Sequence, residues 1–255
     1  MRLATTVTVL VLHGGGFIGG SPASVAPLAS DLRSAGYDAI AVDYRRGNPT
    51  GNVLGEIETV RRQVRAAELR GPVIAYGVSA GGTLAAALAA RGEVDGAVVA
   101  GGPTNLLSWI GLSPLPTEGF WQHMGMDHNA RREASPIFRL NGAQSPQLLL
   151  YGDIDLLVPI DQGLNYERAA VRDQPDTTLT LMPISPHAYW PTYRAMARRW
   201  IEARWPVTAK ATSRALAKNA HVDEALVQSR VLSQLRVKRH GHQRVLLRRD
   251  RMPVH

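Results

Sequence analysis

GVSAGG, Gly77 to Gly82, sets a serine between glycines at G-x-S-x-G spacing, directly after the apolar run PVIAY (Pro72 to Tyr76) and directly before TLAAALAA. In a chain with 24 glycines this spacing is a weak signal by itself, so the surroundings decide its reading. A strand ending at Tyr76 or Gly77, a turn at Ser79 and a helix starting at once describe a tight elbow. Such an elbow holds its central residue in strained backbone geometry and demands small neighbours, which Gly77, Ala80, Gly81 and Gly82 supply. A glycine turn with an incidental serine accounts for the glycines but not for the strand before them or the helix after.

Working outward, the chain up to about Trp205 alternates short apolar runs with helix-like segments, the pattern of βαβ units and a mostly parallel sheet with flanking helices. The runs predict strands at Val7–Leu12, Asp38–Val42, Val73–Tyr76, Gly96–Ala100, Gln147–Tyr151 and Thr178–Met182. Helices are expected at Ala23–Ala35, Val53–Leu69, Ala80–Arg91, Ile160–Arg172 and Thr192–Ala203. One connection is too long for a simple crossover. Residues 102–146 carry repeated Pro and Gly with Trp109, Phe120, Trp121, Met124 and Met126, which reads as a lid or cap inserted over the site, against the plainer reading of a structural loop with its own small core. The expected organisation is an α/β core over residues 1–206 that contains this insertion, followed by a basic extension over 207–255.

Composition bounds the chemistry. A chain of 255 residues, 45% hydrophobic and 20% charged, can bury one sizeable core. It has no cysteine, so disulfides, thiolate metal sites and cysteine nucleophiles are excluded, and covalent chemistry falls to serine, threonine, lysine or a carboxylate. The opening MRLATTVTVLVL mimics a secretory signal but runs into HGGG with no small-residue cleavage site, and it reads better as a buried parallel strand. No stretch approaches the roughly 18 apolar residues of a membrane span, and the cytoplasm is the default compartment. The net charge of +8 is local: Pro206 to His255 holds eleven Lys and Arg against three Asp and Glu, which leaves the body neutral. Val222, Leu226, Val231 and Leu235 in that extension can line one helical face. A solvated extension is its simpler reading. An arm for nucleic acid, anionic membrane or an acidic partner is the alternative, and nucleic-acid-binding signatures are lacking.

A serine hydroxyl becomes a useful nucleophile when an imidazole takes its proton, and the imidazole needs a carboxylate to hold its tautomer and orientation. In a parallel α/β sheet these groups meet on loops at the carboxyl ends of strands. HGGGF, His13 to Phe17, follows the first strand as a run of residues whose N–H groups can approach a substrate closely; Gly14 and Gly15, with the N–H of Ala80 at the mouth of the next helix, are candidate donors for an oxyanion. His13 reads as a structural hydrogen-bonder rather than a base. For the acid, LLLYGDIDLLVP offers Asp153 and Asp155, with Asp161 a turn further on; for the base, TLTLMPISPHAYWP offers His187. His123 and His128 fall in the insertion and are poorer candidates. The histidines lack metal-ligand spacing, and no metal or cofactor is implied.

HGGGF, DYR (Asp43 to Arg45), GVSAGG, GDIDLLVP and PHAYW, in this order, resemble the α/β-hydrolase fold, in particular the HGGG-bearing esterases of the hormone-sensitive-lipase type and their xylan- and feruloyl-esterase relatives. The resemblance covers about Val7 to Trp205. It implies Ser79 as nucleophile, His187 as general base, Asp155 as its orienting acid through the G-x-x-D pattern, with Asp153 as the fallback, and Gly14, Gly15 and Ala80 as the oxyanion hole. Asp43 and Arg45 are assigned to structure. Lipase-type members usually read GDSAGG and DYRLAPE, where this chain has Val78 and DYRRGNP. The fold also normally has two strands ahead of the one leading into HGGG, and twelve residues precede His13 here. The expected sheet therefore lacks those two strands and has Asp38–Val42 at an edge, covered by a partner subunit in a homo-oligomer or by the extension.

The implied activity is hydrolysis of carboxylic esters of short to medium acyl or aromatic acids through an acyl-enzyme, with Phe17, Trp109, Phe120 and Trp121 as candidate pocket walls. The alternatives are an amide hydrolase, peptidase or formamidase, because the same groups serve both bond types, and a non-catalytic binding protein on the same scaffold.

Overall fold

The computed structural model describes residues 6–45, 51–110, 117–172, 176–187 and 191–207. The basic extension from residue 208, with its expected apolar face at Val222, Leu226, Val231 and Leu235, lies outside the described residues, as does part of the long insertion at 111–116.

Six parallel strands form one sheet, in the spatial order β2-β1-β3-β4-β5-β6. They are β1 Thr8–Leu12, β2 Asp38–Val42, β3 Val73–Val78, β4 Gly96–Ala100, β5 Gln147–Gly152 and β6 Thr177–Met182. All six fall where the apolar runs predict them, within two residues at either end. The chain passes from β1 outward to β2 and then back across to β3, so the winding reverses between β1 and β3, and the crevice of an open parallel sheet opens at such a reversal. HGGG follows one of these strands and GVSAGG the other. Register sets Leu12 beside Gly77, which brings the two glycine-rich turns side by side.

Period-two alternation sorts the strand residues onto two faces. Leu10, Leu12, Ala75, Val99, Leu149 and Tyr151 pack under α2 (Val53–Ala66), α3 (Ala80–Ala90) and α6 (Asp161–Ala170). Val9, Val11, Ile74, Tyr76, Val98 and Leu150 pack under α1 (Ala26–Ser34) and α7 (Pro191–Arg204). Every residue of α3 is buried, and its alanines and glycines let it lie close against the sheet. Strand β2 is an edge, as expected, and Ile40 on it is exposed.

Helix boundaries differ from the periodicity where local chemistry intervenes. The segment expected as one helix at Ala23–Ala35 begins as a 3₁₀ turn at Pro22–Val25, and α1 follows with Pro27 in its first turn, where the missing N–H costs least. Helix α2 starts on the Asn52 side chain, which accepts from the Gly55 N–H at 3.0 Å, and stops before Glu68, which has φ 43°. Two short helices in the insertion, α4 (Glu118–His123) and α5 (His128–Ala134), are not predicted by periodicity. Each is too short to show a face, and each is started by a cap, Thr117 and Asp127 respectively.

The insertion does not build a core apart. Leu106, Trp109, Phe120, Trp121, Met124 and Met126 join the cluster beneath α2 and α3. Buried Gln162 of α6 ties its start down by accepting from the N–H groups of Thr104 and Asn105 at 3.0 and 2.9 Å. Among the described residues no helix is long and apolar enough to cross a membrane.

Candidate active site

Ser79 sits at the elbow between β3 and α3 with φ 55° and ψ −122°, a backbone conformation that costs a non-glycine residue about 1–3 kcal/mol and persists only where its surroundings enforce it. The enforcing contacts are on both sides. Its N–H donates to the Ala100 carbonyl at 2.8 Å, and its carbonyl accepts from Gly82 at 2.7 Å as the first bond of α3. The elbow is tight enough that a Cβ on Gly77 would lie 1.9 Å from the Gly81 carbonyl oxygen, which explains why glycine flanks the serine at that spacing.

His187 lies on the loop after β6. Its Nε2 is 3.0 Å from Ser79 Oγ and its Nδ1 is 2.6 Å from Asp155 Oδ2. Asp155 lies on the loop after β5, its side chain 2% exposed, and its other oxygen accepts from the N–H groups of Leu157 and Val158 at 2.9 and 2.8 Å. A buried carboxylate so satisfied has one oxygen left for the imidazole, which places the proton on Nδ1 and leaves the Nε2 lone pair toward the serine. The loops bearing acid and histidine are joined to each other: Asp153 N–H donates to the Met182 carbonyl at 3.1 Å, Ile154 N–H to the Ser185 carbonyl at 3.3 Å, and Asp153 Oδ1 accepts from Ser185 N–H at 3.2 Å. Asp153 is therefore the clamp between the loops and is not the partner of His187. Asp161, exposed, opens α6. His123 and His128 are exposed on the insertion, away from this cluster.

These groups open into a cavity of about 460 Å³ whose wall is mostly apolar. Phe17 and Trp109 face it, their rings edge to face at 6.2 Å, and Trp109 is held by its indole N–H donating to the Leu157 carbonyl at 2.8 Å. Phe120 and Trp121, expected in the same wall, stand one layer behind, where Trp121 packs edge to face on Trp109 at 6.0 Å and lies under Arg131. Ile18, Val78, Leu157 and Tyr193 also line it and were not singled out by the sequence; Ile18 and Leu157 lie on loops, where no periodicity shows which way a residue faces, while Val78 ends β3 and Tyr193 lies in the first turn of α7.

The HGGGF turn contributes Gly15, Gly16 and Phe17 to the cavity. Gly15 has φ 129°, and a Cβ there would lie 2.2 Å from the Gly19 carbonyl oxygen. Gly14, the other glycine expected as an oxyanion donor, lies against the serine: a Cβ on it would lie 3.1 Å from Ser79 Cβ and 3.8 Å from its Oγ. Ala80, at the N-terminus of α3, lines the cavity next to Ser79. His13 is fully buried at the base of the turn, stacked on Tyr44 at 4.2 Å, with Nδ1 2.7 Å from the Gly14 carbonyl. Burial holds its pKa below the ordinary value, so it is a neutral donor there. Among the described residues no group of three or more acidic or histidine side chains is placed to hold a metal ion.

The chain, with an elbow serine at the winding reversal of its parallel sheet, an acid after β5 and a histidine after β6, matches a family model described as the alpha/beta hydrolase family over residues 9–252. The chain belongs to the alpha/beta hydrolase family. Among solved structures, this hydrolase is similar to a thermophilic esterase from the planctomycete Thermogutta terrifontis with propionate bound, at 19% identity and TM-score 0.62, covering 80% of this chain and 86% of that one. It is similar as well to an acetyl ester-xyloside bifunctional hydrolase from Caldicellulosiruptor lactoaceticus, at 16% identity and TM-score 0.64, covering 82% and 86%. Among curated proteins it resembles an acylamino-acid-releasing enzyme of Oryza sativa subsp. japonica, 27% identical over 214 residues that make up 72% of this chain and 28% of the relative. An acylamino-acid-releasing enzyme of Arabidopsis thaliana matches at 24% identity over 70% of this chain and 27% of its own length. This alpha/beta hydrolase thus spans about a quarter of the length of the curated relatives it matches.

Proposed function

We propose that this chain is a serine hydrolase that cleaves carboxylic esters of short to medium acyl or aromatic acids through an acyl-enzyme. The observation that carries the reading is the continuous hydrogen-bonded chain from Ser79 through His187 to a buried Asp155, at the mouth of an apolar cavity. In this reading Ser79 Oγ attacks the ester carbonyl carbon while His187 Nε2 takes its proton. The C=O bond becomes a C–O⁻ single bond, and the oxyanion is met by backbone N–H groups. Gly14, Gly15 and Ala80 are the donors we assign, with Gly16 beside them. As the carbonyl re-forms, His187 returns the proton to the leaving alcohol. Water then enters, loses a proton to His187 and attacks the acyl-serine, which releases the acid and restores Ser79. Asp155 holds the imidazole throughout and stabilises it when it carries two protons.

The apolar wall favours a neutral acyl group, since a carboxylate or ammonium brought there would lose its hydration without a partner. Trp109 limits the depth of that wall, which gives the insertion the role of a cap over the acyl group. The likeness to esterases supports ester substrates.

Amide hydrolysis is the second reading, favoured by the acylamino-acid-releasing relatives and served by the same residues. A panel of p-nitrophenyl acetate and butyrate against matched acyl amides separates the two. Ester turnover that disappears in Ser79→Ala, with a fluorophosphonate labelling Ser79 in the unaltered protein, is the expected result. Ester turnover that survives in Ser79→Ala overturns the assignment.

A further inference from the structure

Arg45 and Glu56 take no part in the steps above, and the sequence assigns Arg45 only to structure. Yet Glu56, in the first turn of α2, is a carboxyl group with no exposed side-chain surface in an otherwise apolar region, a placement that is costly unless the group is paired and put to use. Its partner is the Arg45 guanidinium: Nη1 donates to Glu56 Oε1 at 2.7 Å and to the Phe17 carbonyl oxygen at 2.6 Å. Phe17 closes a run of three residues with positive φ, 129° at Gly15, 60° at Gly16 and 64° at Phe17. For glycine such angles cost little, but at Phe17 the side chain makes them unfavourable, so something outside the turn must hold them.

Within the turn, the Gly15 carbonyl accepts from Ile18 and Gly19 at 3.2 and 2.9 Å, which closes the loop without fixing its tilt against Ser79. At its base, Tyr44 donates its hydroxyl to the His13 carbonyl at 2.6 Å and stacks on the His13 ring. Both of these act upstream of Gly15. Arg45 acts downstream, on Phe17, and its anchor, Glu56, belongs to a helix with its own cap at Asn52.

We propose that Arg45, braced by Glu56, is a positioning residue for the reaction: by holding the Phe17 carbonyl it fixes the tilt of the Gly15–Phe17 peptides and keeps their N–H groups aimed at the oxygen that becomes negative. This rests on the serine hydrolase reading. Donors that must meet charge in the transition state work only if they are already in place, because reorganising them then costs the energy they would otherwise return. Releasing the Phe17 carbonyl therefore lowers kcat while leaving the apolar contacts that bind the acyl group, and hence KM, nearly unchanged.

The test is steady-state hydrolysis of p-nitrophenyl butyrate by the full chain and by three variants, each rate divided by the sites counted through exhaustive fluorophosphonate labelling. Arg45→Met removes the tether but strands a buried carboxyl, so the double variant Arg45→Met with Glu56→Leu, which replaces the hydrogen-bonded pair by an apolar pair, guards against misfolding. Arg45→Lys keeps one cation with a shorter reach. The expected loss in kcat for both Met-bearing variants is about 10- to 100-fold with KM within about threefold, short of the 10²- to 10³-fold seen when an oxyanion donor is removed outright, and Arg45→Lys falls between them and the unaltered chain. A kcat per labelled site within twofold of the unaltered chain overturns the proposal, and so does a rise in KM at constant kcat. Loss of Ser79-dependent turnover in the unaltered chain is a different failure: it removes the hydrolase reading itself.

Discussion

His187 Nε2 lies 3.0 Å from Ser79 Oγ although 108 residues separate them in the chain. The sheet makes this possible. Ser79 follows β3 and His187 follows β6, with β4 and β5 between, and parallel strands deliver all their following loops to one edge. Asp155, after β5, arrives at that edge between them and reaches Nδ1 at 2.6 Å.

Asp155→Asn is expected to leave the fold intact and lower kcat on p-nitrophenyl esters by about 10³- to 10⁴-fold. An asparagine can keep accepting from Leu157 and Val158 through its carbonyl oxygen, but it then presents an amide N–H₂ to His187 where an acceptor stood. The imidazole turns its lone pair to the amide and its proton to Ser79, the wrong tautomer. A melting curve close to that of the unaltered protein, beside the lost rate, checks the separation. Activity within tenfold of the unaltered protein removes Asp155 from the assignment.

Gly77→Ala and Gly14→Ala should fail in different ways. A methyl at Gly77 meets the Gly81 carbonyl oxygen at 1.9 Å, backbone against backbone, which must break the elbow; about 3 kcal/mol or more of stability is expected to go, seen as a drop in the denaturant midpoint. A methyl at Gly14 meets Ser79 Cβ at 3.1 Å and the Val78 carbonyl at 3.2 Å, a squeeze that a few tenths of an ångström relieves. The protein should fold, with kcat reduced because Ser79 moves against His187. Equal stability losses in the two variants would contradict this account.

The parts legible in the sequence are those whose cause is local. Apolar runs bounded by turn residues locate six strands because a buried parallel strand needs nothing else, and GVSAGG marks the elbow because its glycines answer clashes within the same turn. The loops bearing Asp155 and His187 could be picked out because each follows such a strand, whereas the choice of Asp155 over Asp153 rests on the resemblance through its G-x-x-D pattern. The missing parts are long-range. Nothing in EGFW tells that Trp121 packs behind Trp109 rather than facing the cavity, because a six-residue helix shows no face. Likewise DYR gives Arg45 no visible task until α2 brings Glu56 across eleven residues and the HGGGF turn brings the Phe17 carbonyl across 28.

Glu56 carries a pH signature. Burial pushes its carboxyl up to about 8 even with Arg45 beside it, from an ordinary value of 4.5. The folded value is the higher, so between the two the folded protein binds more protons than the unfolded chain. Glu56's contribution to stability is then whole below about 4.5 and is lost as pH rises through about 8. Glu56→Gln keeps an oxygen to accept from Arg45 and cannot ionise. Melting temperatures measured from pH 5 to 8.5 should fall more steeply for the unaltered protein than for Glu56→Gln, and parallel curves would count against a raised Glu56.

In the proposed reading, Trp109 is expected to set acyl length. It is 4% exposed, wedged between Phe17 and Trp121 with its indole N–H fixed on Leu157, so its ring is a rigid end to a cavity of about 460 Å³. Trp109→Ala removes that end at a stability cost of about 3–5 kcal/mol and lengthens the apolar slot. Because each methylene buried in such a slot is worth about 0.8 kcal/mol, esters too long for the unaltered cavity gain most. The ratio of kcat/KM for octanoate over that for butyrate should rise by about tenfold or more across a p-nitrophenyl ester series, with the acetate rate little changed. If the ratio stays flat, the acyl group occupies another part of the cavity and Trp109 serves the core alone.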